Sequence, residues 1–447
     1  MGDVSKVDQR GFVNPPRPAG PPGEPAFLDG AAAAAHLGVK RETLYAYASR
    51  GLVRSEPIGR EGGDPSTPRH GRERRYRKDD LDRLKARHDA RSGHGAVAAG
   101  ALRWGEPVLE SALTAIDAGG PRYRGQAAVE LAESSSFEAV AELLWSGVLP
   151  AEPPAWRADG IGVRAGSLGA LLPPGSHPLA TLALAVPALG AVDPHRFGAE
   201  AEPEKVRARA LVLRLAALLG FAADRGRARA AVASGSVARA VLVGHGGRVD
   251  PAAERAVNRA LVLLADHELN ASAFAVRITA SAGADLYACF SAGLAAASGP
   301  LHGGSCDRVE ALVADAGSAA GARAVVRALV RRGQDVPGFG HELYPEGDPR
   351  APPLLRAALE LAPRAGSLRT LQALIDAMGE LGGAPPTVDF GLVAIALALE
   401  LPPGAAVSLF AIGRAAGWVA HVLEQRAAGF ILRPRARYVG VAPVQRA

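Results

Sequence analysis

The stretch GFGHELYPEGDPR, residues Gly338–Arg350, carries the most specific pattern in the chain. His341 directly follows a glycine, which predicts that its backbone lies in a tight turn at the end of an element. His302 has a similar setting in GPLHGGSCD, and His267 lies in ADHELNAS. A side chain in such a turn is presented to a ligand more often than it is packed in a core. A lone histidine is more often structural, but three of them, with isolated arginines in apolar surroundings, favour a binding site.

The stretch VSLFAIGRAAGWVAHVLEQ, residues 407–425, predicts one helix that places Arg414 among apolar side chains. A helix that is apolar nearly all round is buried, and a buried guanidinium is costly unless an anion pairs with it. Two partners remain open at this point. One is an internal Asp or Glu, and the other is a substrate carboxylate bound through two parallel hydrogen bonds.

Asp389 lies in TVDFGLVAIALAL, at the start of a second apolar helix. One interpretation is that the carboxylate only caps the helix N-terminus. The other is that a carboxylate in an apolar site is poorly solvated and becomes a stronger base.

Helical spacing broken by Gly/Pro loops extends from about Leu102 to the end of the chain and predicts a mainly α body. A chain of 447 residues is too long for one ordinary hydrophobic core and predicts two or three domains. Its two cysteines, Cys289 and Cys306, exclude a disulfide framework and a cysteine-rich metal site, so no metal is expected. The N-terminus has no signal-peptide core, and the apolar runs are too short to span a bilayer. We therefore expect a cytoplasmic protein with no membrane partner.

The N-terminal region predicts a compact unit over residues 26–91, between a disordered Pro/Gly-rich tail at 1–25 and a linker at 92–104. Within it, a helix over Ala32–Leu37, a left-handed Gly38 and a helix over Arg41–Arg50 predict a helix-turn-helix. A basic loop follows. DNA contacts are predicted from the start of the second helix and from this loop, by Lys40, Arg41, Thr43, Tyr45, Arg72, Arg74, Arg75 and Arg77.

The C-terminal body resembles the citrate synthase family from about Val108 to Tyr438. The match begins at IDAGGPRYRGQAAVELAESSSFEAVAELLWSGVLP, and DHELNAS, GPLHGG, GFGHELYPEGDPRA, VDF, FAIGRAAGWVAH and RPRARY follow in family order. Residues 26–87 resemble the winged helix-turn-helix of MerR-like regulators and excisionases through LGVKRETLYAYASRGLV. The resemblances imply a mainly α fold with a two-domain helical body over 105–447, including a small subdomain at roughly 303–385, and a small N-terminal winged helix-turn-helix.

The resemblance to citrate synthases implies condensation of acetyl-CoA or propionyl-CoA with oxaloacetate and water, giving citrate or 2-methylcitrate and free CoA. It also implies a homodimer whose domains close over oxaloacetate, and no cofactor, because the CoA thioester is a substrate. His302 matches the position that hydrogen-bonds the thioester carbonyl, Asp389 the base, and His341 the residue that polarises the ketone. The matched oxaloacetate-binding positions are His267, His341, Arg350, Arg414 and Arg433.

Two segments depart from the family pattern. Where the family often has basic residues before DPR that help to bind CoA, this chain has Glu342 and Glu346. Where the family usually has Ala-Asn-Glu after GPLHGG, this chain has Ser305, Cys306 and Asp307. The sequence therefore predicts altered CoA binding and an altered loop after His302.

Three functions remain open at this point. The first is an active citrate or 2-methylcitrate synthase. The second is a DNA-binding transcription regulator that uses the synthase-like body as a metabolite sensor. In the third, the N-terminal unit mediates assembly alone. DNA binding would require a dimeric body, because one such domain reads only a half-site.

Overall fold

The computed structural model describes residues 27–50, 52–57, 74–78, 80–81, 84, 109–198, 200–434 and 440. The chain divides into two compact units, Met1–Glu110 and Ser111–Ala447. The predicted tail at 1–25 and linker at 92–104 lie outside the described residues, and the proposed domain boundaries stay predictions.

The first unit contains two short helices and a three-stranded sheet. Its elements are β1 (Phe27–Asp29), α1 (Gly30–Leu37), α2 (Arg41–Ser49), β2 (Ser55–Pro57) and β3 (Arg74–Arg77). The helices form where they do because the Asp29 carboxylate accepts the N–H groups of Ala31 and Ala32, and because Gly38 ends α1 with φ 64°. The strands are antiparallel in the order β1-β3-β2. Ala33, Leu44 and Tyr76 are completely buried between the helices and the sheet.

The second unit begins with a small antiparallel meander. Its strands are β4 (Thr114–Asp117), β5 (Gly120–Tyr123) and β6 (Gln126–Ala127). The buried Tyr123 hydroxyl donates to the carbonyl of Val262 at 3.0 Å, which attaches the meander to the helical core.

The remaining elements of the second unit that the structure describes are helices, as the sequence predicted. They are α3 (Ala128–Ser134), α4 (Phe137–Ser146), α5 (Ala165–Ala170), α6 (Pro178–Val192), α7 (Ala201–Leu218), α8 (Arg227–Val232), α9 (Val237–His245), α10 (Pro251–Leu264), α11 (Ala271–Ser281), α12 (Leu286–Ala297), α13 (Ser305–Ala316), α14 (Ala319–Arg331), α15 (Ala351–Leu361), α16 (Gly366–Glu380), α17 (Val388–Ala398) and α18 (Ala405–Ala428). The prediction of a mainly α body is confirmed.

Helix α18 forms the centre of this unit and packs against α10, α11 and α17. It is buried along almost its whole length because it is apolar on every side. Two glycines permit its close approach to the end of α10. A Cβ atom on Gly417 would lie 2.3 Å from the Asp266 carboxylate, and one on Gly413 would lie 2.6 Å from Leu264. These contacts place Arg414, between the two glycines, beside the residues that follow α10.

Among the described helices, α18 is long and apolar enough to cross a membrane by length and composition. In this structure, however, 94% of its most apolar window is buried inside the protein. A buried core helix meets the same criteria, so the apolarity of α18 is accounted for by packing.

Candidate active site

Six of the seven residues predicted for catalysis or oxaloacetate binding lie around one region of the second unit. His267 follows α10, and Asp389 is in the first turn of α17. His302 precedes α13, and the loop between α14 and α15 carries His341 and Arg350. Arg414 lies in the middle of α18. Element ends and one buried helix therefore supply the side chains.

A group of three rings brings two of the predicted histidines together. The ring centroids of His267 and His341 lie 5.4 Å apart, and Tyr344 contacts both rings. His267 Nε2 and the Tyr344 hydroxyl are 2.8 Å apart. Burial, with the nearby charges of Arg350 and Arg414, holds the pKa of His267 well below its ordinary value. Both imidazoles are therefore presented as neutral groups, since burial lowers the pKa of His341 as well.

Arg350 is held by an internal carboxylate. Its Nε and Nη2 donate to the two oxygens of Asp348 at 2.9 and 2.8 Å, and both side chains are buried. Burial opposes the charge of Asp348, but Arg350 holds the pKa of this carboxyl below its ordinary value. Two of the guanidinium's nitrogens are thus used to fix its position, which leaves Nη1 for a further contact.

Arg414 has no such partner among the described residues. Its Nε and Nη1 are buried without a hydrogen bond, and its guanidinium carbon lies 5.2 Å from the centroid of the Phe410 ring. Burial lowers the pKa of Arg414 to about 10, although the Asp266 carboxylate acts against this shift. The side chain in contact with Asp266 is instead His421, whose Nε2 lies 3.2 Å from Oδ1. Of the two partners left open by the sequence, the internal acid is not in an ion pair with Arg414.

His302 is positioned by a serine. Its Nε2 lies 2.9 Å from Ser272 Oγ, and this oxygen accepts the indole N–H of Trp418 at 3.2 Å. The imidazole packs edge-on against Phe410 at 5.2 Å between centroids. Burial, with the charge of Arg414, lowers the pKa of His302 to about 4, so this ring is neutral at physiological pH.

Both oxygens of Asp389 accept hydrogen bonds from side chains. The Cys306 thiol donates to Oδ1 at 3.1 Å, and the Thr387 hydroxyl donates to Oδ2 at 2.9 Å. Desolvation raises the pKa of Asp389 above its ordinary value despite these bonds. The interpretation of Asp389 as a simple helix cap is not supported, because none of the hydrogen bonds to its oxygens among the described residues comes from a backbone N–H of α17.

Arg433 makes none of the described contacts that join the other predicted residues. It lies exposed in the irregular segment that follows α18, and no hydrogen bond or ion pair between described residues joins it to the other six.

Four residues near this region were not singled out by the sequence: Ser272, Tyr344, Asp348 and Thr387. Asp348 and Tyr344 lie in the same GFGHELYPEGDPR stretch as His341, but nothing in the pattern indicated which side chains they would contact. The contact of Ser272 with His302 joins residues thirty positions apart. Such contacts depend on the tertiary fold and have no local signal.

A model of the citrate synthase family, described as "Citrate synthase, C-terminal domain", matches residues 101–435. The chain belongs to the citrate synthase family. The 2-methylcitrate synthase of Mycobacterium tuberculosis (strain H37Rv) is 33% identical over 337 residues, covering 71% of this chain and 84% of that protein. The citrate synthase of Mycolicibacterium smegmatis is 30% identical over 335 residues, covering 71% of this chain and 88% of that protein.

Solved structures agree with this assignment. The crystal structure of citrate synthase from Thermotoga maritima matches with a TM-score of 0.64 and 28% identity, covering 77% of this chain and 96% of that one. A citrate synthase from Thermoplasma acidophilum, solved as a ternary complex, is similar at a TM-score of 0.66 and 25% identity, covering 76% of this chain and 96% of that one.

 The two ligands named for that ternary complex are carboxymethyl coenzyme A and oxaloacetate. The mainly helical citrate synthase fold expected from the sequence is therefore confirmed for the second unit.

Proposed function

We propose that this chain condenses acetyl-CoA or propionyl-CoA with oxaloacetate and water, releasing citrate or 2-methylcitrate and free CoA. The observation that carries the proposal is Arg414, a buried guanidinium with two donors that no described residue fills. A charge in that position is costly without an anion. A dicarboxylate such as oxaloacetate supplies that anion. The two relatives described above are a 2-methylcitrate synthase and a citrate synthase, which also supports the proposal.

The basic side chains around Arg414 suit a dianion. Arg414 offers unfilled N–H donors on Nε and Nη1 to the carboxylates of such an anion. Arg350 is held by Asp348 but retains Nη1, and the neutral His267 adds a ring that is oriented by Tyr344. In this arrangement the substrate's negative charge is neutralised before it comes close to Asp389.

Enolisation of the thioester requires a base and a donor that act together. Asp389 takes the α-proton of the acyl group, and its raised pKa makes it a stronger base than an exposed aspartate. His302 donates a hydrogen bond to the thioester oxygen as that oxygen becomes enolic. For Nδ1 of the neutral ring to donate, Nε2 must accept the Ser272 hydroxyl proton, so this hydroxyl has to turn from Asn270 Oδ1, at 2.8 Å, to Nε2, at 2.9 Å.

Carbon–carbon bond formation then involves His341. Its Nδ1 accepts the backbone N–H of Leu343 at 3.2 Å, so the proton of the neutral ring is on Nε2. This N–H polarises the ketone of oxaloacetate while the enol carbon attacks it, and then protonates the new alkoxide. Water hydrolyses the resulting CoA thioester and releases CoA, which makes the overall reaction irreversible.

The test is CoA release by the purified full-length chain, with acetyl-CoA and propionyl-CoA assayed side by side in the presence of oxaloacetate. We expect release with at least one donor, and its loss in Asp389→Asn. Asp335→Asn, which changes an exposed aspartate, is the matched control and should retain activity. No release with either donor would contradict the proposal, as would full activity in Asp389→Asn.

We further propose that the N-terminal unit is a winged helix-turn-helix that binds DNA. Lys40, Arg41 and Tyr45 are exposed on one end of α2, and Thr43 is partly exposed between them. On β3, Arg74 donates to Ser55 and Arg75 contacts Glu56 at 3.3 Å, so these two arginines are also used within the unit. Arg77 is partly buried. The predicted contact Arg72 lies outside the described residues.

Binding of the protein to duplex DNA in the presence of heparin as a competitor, measured as retention at increasing salt concentrations, tests this second proposal. Removing side chains that neutralise phosphates reduces the salt dependence of binding, so Lys40→Ala with Arg41→Ala should weaken retention and flatten its salt slope. Arg331→Ala, at an exposed position in the second unit, is the control. Equal retention by all three proteins, or none by the wild type, would contradict DNA binding.

We also propose a cytoplasmic homodimer in which Arg433 of one protomer completes the site of the other. The exposure of Arg433 and the absence of a contact with the site in one chain, within the residues that are described, support this arrangement.

A further inference from the structure

Cys306 lies directly against the proposed base. Its thiol is completely buried in the first turn of α13 and donates to Asp389 Oδ1 at 3.1 Å. Helix α13 packs against α17, which carries Asp389.

The second oxygen of Asp389 is held as well. The Thr387 hydroxyl donates to Oδ2 at 2.9 Å, so each carboxylate oxygen accepts one side-chain hydrogen bond. Each oxygen has a further lone pair. The carboxylate is consequently fixed in orientation by two donors while it keeps the capacity to accept a proton from a substrate.

A thiol is a weaker hydrogen-bond donor than an amide N–H. A donor that bonds the charged form of a carboxyl stabilises that form, and a weak donor does so less. The charged and titratable groups that act on Asp389 are Cys306 from α13 and Asp348 and Arg350 from the loop before α15. Of these, the thiol is the one that makes a direct hydrogen bond to the carboxylate.

We propose that Cys306 is a positioning residue, whose S–H group holds Asp389 in its reactive orientation while leaving the carboxylate strongly basic. This inference rests on the proposed function, in which Asp389 takes the α-proton. Cys289 provides a built-in comparison, because it is a buried cysteine on α12 whose Sγ lies 3.9 Å from the carbonyl oxygen of Ala284.

Infrared spectroscopy of the S–H stretch tests the contact without any turnover. The chain has two cysteines, so Cys289→Ala leaves Cys306 as the only thiol. Donation to a carboxylate lowers the S–H stretching frequency. We expect a lowered band in Cys289→Ala and a return to higher frequency when Asp389→Ala is added. The same frequency in both proteins would overturn the inference.

Steady-state kinetics test the consequence. In Cys306→Ala we expect kcat to fall about tenfold, as for the loss of one hydrogen bond to a charged group, with KM for oxaloacetate nearly unchanged. The acid limb of the kcat/KM profile should move to higher pH, because a donor to the charged form has been removed. In Cys306→Asn the limb should move to lower pH with kcat largely retained, and Cys289→Ala should match the wild type.

An active wild type with identical kcat and pH profile in Cys306→Ala would overturn the positioning role. A wild type that releases no CoA would instead overturn the proposed function, and the S–H measurement would still decide whether the contact exists.

Discussion

The carboxylate of Asp348 joins Arg350 to the helix that carries Asp389. Both Asp348 oxygens accept hydrogen bonds from the Arg350 guanidinium, and Oδ2 also accepts the backbone N–H of Val388 at 2.9 Å. Val388 is the first residue of α17 and directly precedes Asp389. One buried carboxylate therefore fixes a proposed substrate-binding guanidinium and the proposed base relative to each other.

Asp348→Asn is expected to destabilise the protein by about 3 kcal/mol, because it leaves the Arg350 charge buried without its partner. Urea unfolding measures this change. Arg350 holds the pKa of Asp348 below the ordinary value of 3.8, so the stabilisation is present at neutral pH and is lost as the pH falls below that value. The difference between wild type and variant should shrink accordingly under acid conditions. A difference within about 0.5 kcal/mol at neutral pH, the range for neutral surface substitutions, would contradict this account.

Arg414→Leu is expected to raise the free energy of unfolding of the substrate-free protein, by about 1–3 kcal/mol. The physical reason is that the substitution removes a buried charge that lacks an ion-pair partner among the described residues. Urea unfolding in the absence of any dicarboxylate measures it. A loss of stability of similar size would instead indicate that an internal group already pairs with Arg414.

Ser272→Ala is expected to lower kcat about tenfold with little change in KM for oxaloacetate, because His302 loses the hydroxyl that orients it. Initial rates at saturating acyl-CoA measure kcat and KM for oxaloacetate separately.

Since the pKa of His302 is lowered to about 4, the ring stays neutral as the pH passes through 6.5. Its titration should therefore leave no step at that pH in the wild-type activity profile. A step near pH 6.5 that is lost in His302→Gln would contradict the neutral imidazole.

Mixed dimers test the proposed place of Arg433. Coexpressed Arg433→Ala and Asp389→Asn chains should regain up to about a quarter of wild-type activity, because half of randomly formed dimers would then contain one intact site. Each variant alone should have little activity. If Arg433 acts within its own chain, the mixture should stay as inactive as the separate variants.

The sequence predicted the buried helix around Arg414 and the apolar helix that begins near Asp389, because both depend on local composition. It also predicted His267, His302 and His341 as site residues from their glycine-rich or polar settings, which are visible in short segments. It could not identify Ser272 or Asp348 as partners, because these contacts form only when separate helices pack. The Cys306 substitution was visible, but its contact with Asp389 joins residues 83 positions apart.

Arg414 is proposed to bind a carboxylate of oxaloacetate, and isothermal titration of oxaloacetate into the full-length protein measures this binding. We predict saturable binding at one site per chain in the wild type and no measurable binding in folded Arg414→Leu. Equal affinity in the two proteins, or no binding to the wild type, would contradict the claim.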